Sequence, residues 1–243
     1  MTYCVGMRLD RGLVFMSDTR TNAGVDNVFT FRKMFTWESP GDRVITLLTA
    51  GNLATTQAVV SLLDERMKVP AERNPSILEV PTMFQVARLI GDTLKETVQA
   101  QSDKGPESAS TFSATIIVGG QIAGSDPRLF LIYPEGNFIE ASDENPFFQI
   151  GETKYGRPIL LRGYDPAMSF EDAAKLLCLS YDSTLKANLS VGMPLDLMTH
   201  EAGACKIGQT KRIEKDDADF ARMSEQWGDA LRIAIQTLPA FKF

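Results

Sequence analysis

The chain has 243 residues, 44% hydrophobic and 23% charged, a balance expected of one globular domain spanning residues 1–243. A formal charge of −6 and a pI near 5.0 argue against a nucleic-acid surface, which gathers Lys and Arg to displace counterions from phosphates. Cys4, Cys178 and Cys205 show no CxxC spacing, which speaks against a disulfide framework or a zinc site and for a reducing cytoplasm.

The opening MTYCVGMRLD has no basic stretch followed by an apolar one, and runs such as VITLLTA are too short to span a bilayer, so neither export nor a membrane anchor is expected. Thr2 to Leu9 reads as a strand, Asp10-Arg11-Gly12 as a turn and Leu13 to Ser17 as the returning strand. A polar stretch, Thr19 to Asn27, precedes strand character over Phe29 to Trp37. Ser39-Pro40-Gly41-Asp42 turns the chain into a buried strand, Arg43 to Ala50, which Gly51 breaks.

Leu53 to Lys68 sets Leu53, Ala54, Ala58, Leu62 and Leu63 at helical spacing. Thr82 to Gln101 does the same with Met83, Val86, Ala87, Ile90, Leu94 and Val98. The intervening Val69 to Pro81 holds three prolines and reads as a loop. After the polar segment Ser102 to Ser110, strands are expected at Thr111 to Val118, Arg128 to Tyr133 and Asn137 to Ala141. Glycines 119, 120 and 124 are assigned to a strand end and a turn. Ser169 with Asp172 forms a capping box that opens a helix through Leu185, burying Ala173, Leu176, Leu177 and Tyr181. Strands over Leu195 to His200 and Lys206 to Ile213 and an amphipathic helix over Asp217 to Leu238 complete the chain. Lys211, Arg212 and Lys215 are interleaved with Glu214, Asp216 and Asp217 and read as a solvated face. This order fits two antiparallel sheets between helical layers, an α+β fold.

His200 is the only histidine. A Ser-His-Asp triad needs it and a zinc site usually needs more than one; its place at a strand end reads as structural. There is no G-x-S-x-G elbow and no P-loop. A chemistry that needs no histidine uses a threonine whose own α-amine accepts the hydroxyl proton. That amine titrates near 8, roughly. A lysine beside it keeps it neutral, provided a carboxylate holds the lysine charged. Thr2, exposed by loss of Met1, with Lys33 and Asp18, has the right chemistry. No metal or organic cofactor is required.

The run T-Y-C-V-G at the start, S-D-T-R at 17–20, Lys33 within F-R-K-M, and T-A-G-N at 49–52 resemble the catalytic layout of proteasome β subunits and the HslV-type peptidase. With Asn188-Leu189-Ser190-Val191-Gly192 and the long C-terminal helix, the whole chain resembles the bacterial Anbu family, the ancestral β subunit. The resemblance implies the four-layer αββα sandwich of N-terminal nucleophile hydrolases and a cytoplasmic homo-oligomer, ring or helical. It implies Thr2 as nucleophile, Lys33 tuning the amine, Asp18 orienting Lys33 and the Gly51 N–H meeting the oxyanion. It also implies Thr21, Phe31, Thr49 and Leu53 as the side-chain pocket. Ser190 matches one family serine. Ala187 stands where an aspartate belongs, with Asn188 next to it, and Glu152 or Thr153 stands where the family has a second serine. Cys4, two residues after Thr2, shares its strand face and reads as a packed small hydrophobe.

Three functions are compatible with these residues. A threonine peptidase would act on peptides or proteins, with an unfoldase needed for folded ones. A specialised amidase or amide-transfer enzyme would share the fold. A scaffold would leave Thr2 silent.

Overall fold

The computed structural model describes residues 2–22, 28–68, 75–101 and 111–243. The expected loss of Met1, the segment Ser102 to Ser110, and parts of the expected stretches Thr19 to Asn27 and Val69 to Pro81 lie outside the described residues.

Among these residues the chain order is β1 (Tyr3–Leu9), β2 (Gly12–Asp18), β3 (Arg20–Asn22), β4 (Val28–Thr30), β5 (Met34–Ser39), β6 (Arg43–Gly51), α1 (Leu53–Lys68), α2 (Met83–Gln101), β7 (Ala114–Ile122), β8 (Arg128–Ile132), β9 (Phe138–Glu140), β10 (Phe147–Gly151), α3 (Arg157–Gly163), α4 (Phe170–Ala187), β11 (Leu195–Glu201), β12 (Thr210–Ile213) and α5 (Ala218–Thr237). One antiparallel sheet runs β10-β1-β2-β11-β12 and the other β5-β6-β7-β8-β9, with β3 and β4 paired as a separate ribbon.

Side-chain alternation builds the layers. Successive residues of a strand face opposite sides, so a sheet with both faces covered must be apolar at every position. In β1, Tyr3, Val5, Met7 and Leu9 enter a core with Leu160, Ala173, Leu177 and Tyr181 of α3 and α4. Cys4 faces the other sheet, in a core with Leu48, Ile117, Leu129 and Met198. Ile45 and Leu47 of β6 and Ile116 and Val118 of β7 turn outward onto α1 and α2. Helices, sheet, sheet and helices therefore stack as the αββα sandwich of the N-terminal nucleophile hydrolase type.

Gly119 and Gly120 sit inside β7, and only Gly124 belongs to the following turn. The sheets set this position: a Cβ on Gly119 would lie 2.7 Å from the Phe15 ring, and one on Gly120 would lie 2.1 Å from the Val44 carbonyl oxygen. Close approach of sheet to sheet and strand to strand, and not a turn, requires glycine there.

α1 has the expected bounds but a rotated face. It buries Thr55, Thr56, Val59, Val60 and Leu63, while Ala54 and Leu62 are exposed. Hydroxyl burial is offset by hydrogen bonds: Thr55 Oγ1 donates to the Phe112 carbonyl at 2.9 Å and Thr56 Oγ1 to the Leu53 carbonyl at 3.0 Å. Asn52 caps this helix by accepting the Thr55 N–H at 3.1 Å.

Ser169 caps α4 as its capping box requires, accepting the Asp172 N–H. Ala173, Leu176, Leu177 and Tyr181 are all buried. α5 is helical as expected, yet none of its residues is buried. No helix among the described residues is long and apolar enough to cross a membrane.

Candidate active site

Antiparallel pairing delivers the N-terminal strand to the end of the molecule where β6 meets α1. Thr2, Thr21, Lys33, Thr49, Ala50, Gly51, Leu53, Thr56 and Gly151 line one cavity of about 410 Å³. Six of the residues singled out from the sequence thus converge there: Thr2, Thr21, Lys33, Thr49, Gly51 and Leu53.

Asp18 and Lys33 form a buried ion pair. Lys33 Nζ donates to Asp18 Oδ1 at 2.7 Å and to the Arg20 carbonyl at 2.5 Å, and Asp18 is 0% exposed. An ammonium has three donors; two are committed to these partners, and Lys33 also borders the cavity. Asp18 Oδ1 accepts the Tyr3 N–H at 3.0 Å and Oδ2 the Gly192 N–H at 3.3 Å. Burial pushes the Asp18 carboxyl above the usual aspartate range, against the pull of the Lys33 ammonium and these donors. The Lys33 carbonyl accepts the Thr49 N–H at 3.0 Å, fixing the lysine backbone to the strand that ends in Gly51.

Gly51 has φ +113°, and a Cβ there would meet the Ser113 carbonyl at 2.5 Å. Only glycine closes this strand without strain. Gly151 has φ +83°, and its Cβ would fall 1.9 Å from the Thr2 carbonyl oxygen. That carbonyl accepts the Glu152 N–H at 2.6 Å.

The strand behind Thr2 is rigidly seated. The Tyr181 hydroxyl lies 2.6 Å from the Tyr3 carbonyl and 2.7 Å from that of Met16, and the two tyrosine rings pack at 4.5 Å between centroids. The Tyr3 hydroxyl accepts from Gln149 Nε2 at 2.6 Å and lies 2.7 Å from Ser180 Oγ.

Phe31 and Ser190 are not among the cavity's lining residues. The Phe31 N–H is held by the Thr19 carbonyl and its ring lies 6.1 Å from that of Phe29. Ser190 donates through both N–H and Oγ to Asn188 Oδ1, at 2.9 and 2.5 Å. Asn188 Nδ2 in turn donates to Glu152 Oε2 at 2.8 Å. Cys4 is fully buried between the sheets with its thiol pushed well up by burial, as suits a packed small residue.

His200 is 1% exposed, opposite Leu13, whereas the cavity lies toward the Asp18 end of the same strand pair. Its Nε2 is 3.2 Å from Gln121 Oε1, and burial lowers its pKa to about 4.

Sequence reading missed Gly151 and Thr56. Thr56 lies three residues beyond Leu53, one helical turn along the same face, which was a usable signal. Gly151 acts through its backbone, and no side-chain pattern points to it.

Together a hydroxyl, a buried cation and a strand-ending glycine share one cavity, the chemical parts of acyl transfer. The proteasome subunit family model matches residues 2–193. An Anbu (Gly-1) mutant from Hyphomicrobium sp. strain MC1 is 49% identical over 100% of both chains, with a TM-score of 0.92. Anbu from Yersinia bercovieri is 43% identical over 99% of each chain, TM-score 0.92. The helical assembly of the Anbu complex from Pseudomonas aeruginosa is 43% identical over 99% of this chain and 98% of that one, TM-score 0.91. Comparison with curated protein sequences gives no match. With four-fifths of its length inside the family model and near-complete overlap with these structures, the chain belongs to the proteasome subunit family, in its Anbu (ancestral β-subunit) branch.

Proposed function

We propose that the protein is an N-terminal threonine hydrolase that cleaves amide bonds of peptides or proteins once Met1 has been removed. The supporting observation is the convergence of Thr2, the Lys33 ammonium and Gly51 on one cavity. The α-amine of Thr2 takes the proton of its own hydroxyl as the oxygen attacks the carbonyl carbon. The Lys33 ammonium, paired with Asp18, lowers the basicity of that amine so that it is neutral and able to accept. The Gly51 N–H donates to the developing oxyanion, a donor worth about 3 kcal/mol in the barrier. Collapse passes the proton from the ammonium to the departing amine and leaves an ester on Thr2; water then hydrolyses the ester with the same amine as base. Thr21, Thr49, Leu53 and Thr56 form a mixed hydroxyl and apolar wall that suits neutral side chains.

Self-assembly belongs to the same reading. α5 packs Phe220 and Met223 against the core but fully buries no residue within one chain, and Ile233, Ile235, Leu238 and Phe241 are 61%, 70%, 68% and 83% exposed. The Anbu complex from Pseudomonas aeruginosa forms a helical assembly. An enclosed site would need an unfoldase to admit folded substrates, and the free, buried cysteines suit a reducing cytoplasm.

Intact mass before and after treatment with a peptide epoxyketone, with the adduct mapped, tests the proposal, because that reagent closes a ring on a hydroxyl and a free α-amine together. The expected product is a single adduct on Thr2, absent in Thr2→Ala. A chain that begins at Thr2 and stays unmodified would overturn the hydrolase reading in favour of a scaffold. Cleavage of one substrate from a broad peptide panel would instead mark a specialised amidase.

A further inference from the structure

Two hydrogen bonds hold the Thr2–Tyr3 peptide from opposite ends. Its carbonyl accepts the Glu152 N–H at 2.6 Å, and its N–H donates to Asp18 Oδ1 at 3.0 Å. Both holders are tied to the same short turn after α4. Asp18 Oδ2 accepts the Gly192 N–H at 3.3 Å, while Glu152 Oε2 accepts Asn188 Nδ2 at 2.8 Å. Asn188 Oδ1 takes the Ser190 N–H and hydroxyl, and Glu152 Oε1 takes the Lys154 N–H at 3.1 Å. The circuit is closed: peptide, Asp18, turn, Asn188, Glu152, peptide.

Glu152 is a buried acid, 7% exposed, and among the described residues it makes no ion pair. Its carboxylate oxygens are acceptors only, and each has a donor, one a side-chain amide and one a backbone N–H. Buried carboxylates are costly unless their oxygens are satisfied, so burial here has a geometric return. Lys186 and Asp182, the charged side chains near the end of α4, pair with each other at 2.9 Å and bond Ser224 of α5, and take no part in the circuit.

We infer that Glu152 and Asn188 are a positioning pair that sets where Thr2 stands relative to Lys33 and Gly51. This rests on Thr2 being the nucleophile. The pair acts through the Glu152 main chain, so neither side chain needs to touch substrate. The acid is carried on the loop after β10 and the amide on the α4 cap.

The polarity of the pair makes it testable by reversal. Asn188→Asp sets two carboxylates against each other at the 2.8 Å contact, where like charges cannot both ionise comfortably. Adding Glu152→Gln to it restores every bond with roles exchanged. The amide then carried at position 152 would accept from the Lys154 N–H and donate to the carboxylate carried at position 188, which still accepts from Ser190.

Two readouts on the full-length protein are needed: amide hydrogen exchange of the Tyr3 and residue-152 N–H groups, and the rate of epoxyketone adduct formation on Thr2, each from pH 5 to 8. For Asn188→Asp at pH 8 we expect exchange about tenfold faster than the parent at the same pH and adduct formation about 10- to 100-fold slower. Both should recover toward pH 5, as the two carboxyls share a proton. The reversed pair should return exchange and adduct rate to within about threefold at every pH, a pH signature that simple loss of packing does not produce. If Asn188→Asp does not fold, Asn188→Ala cuts the tie without adding charge, and should speed exchange equally at all pH. Parent-like exchange in Asn188→Asp or Asn188→Ala overturns the inference, as does a folded reversed pair that exchanges as fast as the single variant. Exchange that follows expectation in a protein forming no adduct even in the parent upholds the clamp and removes only the assignment of Thr2 as nucleophile.

Discussion

Replacing Asp18 by Asn tests the buried pair on which the site is built. The carboxylate is 0% exposed and receives three donors, from Tyr3, Lys33 and Gly192. Asparagine keeps one acceptor oxygen, enough for Tyr3 and Lys33, and turns its amide donor onto the Gly192 N–H. The Lys33 ammonium, 4% exposed, then stays buried without a counter-charge. Removing one partner of such a pair costs about 3–5 kcal/mol, a large share of the roughly 5–15 kcal/mol that holds a typical domain together. Urea unfolding followed by circular dichroism, at fixed protein concentration because self-association would add stability, should show that loss with an unchanged denaturant slope. Lys33→Met alone leaves a carboxyl that burial already pushes toward protonation, and the double variant should be more stable than the sum of the two single losses by at least about 1 kcal/mol. Asp18→Asn within about 1 kcal/mol of the parent, or a strictly additive cycle, would refute the assignment of a mutually dependent buried pair.

Gly151→Ala and Gly124→Ala make a matched comparison, since both glycines have nearly the same positive φ, +83° and +80°, but only the first has a neighbour in the way. Gly124→Ala should cost about 1 kcal/mol from backbone strain, whereas Gly151→Ala drives a methyl into the Thr2 carbonyl and should cost several times more and abolish the adduct; equal losses would deny that Gly151 seats Thr2. Buried His200, with its pKa lowered to about 4 from 6.5, is neutral in the folded protein. The unfolded chain binds the extra proton between those values, so stability is full above about pH 6.5 and falls as acid is added down to about pH 4, by roughly 3 kcal/mol in all. His200→Gln should flatten that part of the pH–stability curve, and an unchanged slope would remove His200 as its source. Ile235→Lys on the exposed C-terminal part of α5 should lower the mass of the proposed assembly in sedimentation without lowering Tm of the isolated chain; an unaltered mass would take this part of the helix out of the proposed interface.

Much of the fold was legible because its strongest signals are local. Periodicity alone gives the bounds of α1 and nearly those of α2, and the Ser169–Asp172 box gives the start of α4 within a residue. β10 was not read, although it pairs with β1 along its length. Its FFQIG run is short and lacks alternation, and its strand character comes from a partner more than a hundred residues away. α3, with only seven residues, carries too little periodicity to register. Glycines 119 and 120 were misplaced for the same reason, since what they avoid is Phe15 and Val44 from other strands.

What the sequence supplied by itself was a candidate chemistry, reached by elimination. One histidine and no metal or phosphate motif leave few routes, and Thr2 with a lysine and an aspartate needs no more. Tertiary structure decided which residues meet and how they are held. It brought Gly51 and Thr56 to the same cavity as Thr2, and left Phe31 and Ser190 off its lining. It also joined Glu152 and Asn188, residues 36 apart in the chain, by a hydrogen bond. A side chain's identity states what it can donate or accept, but its partner is chosen by strand register and helix placement. These are set by burial summed over the whole chain, and no local stretch of sequence contains that sum.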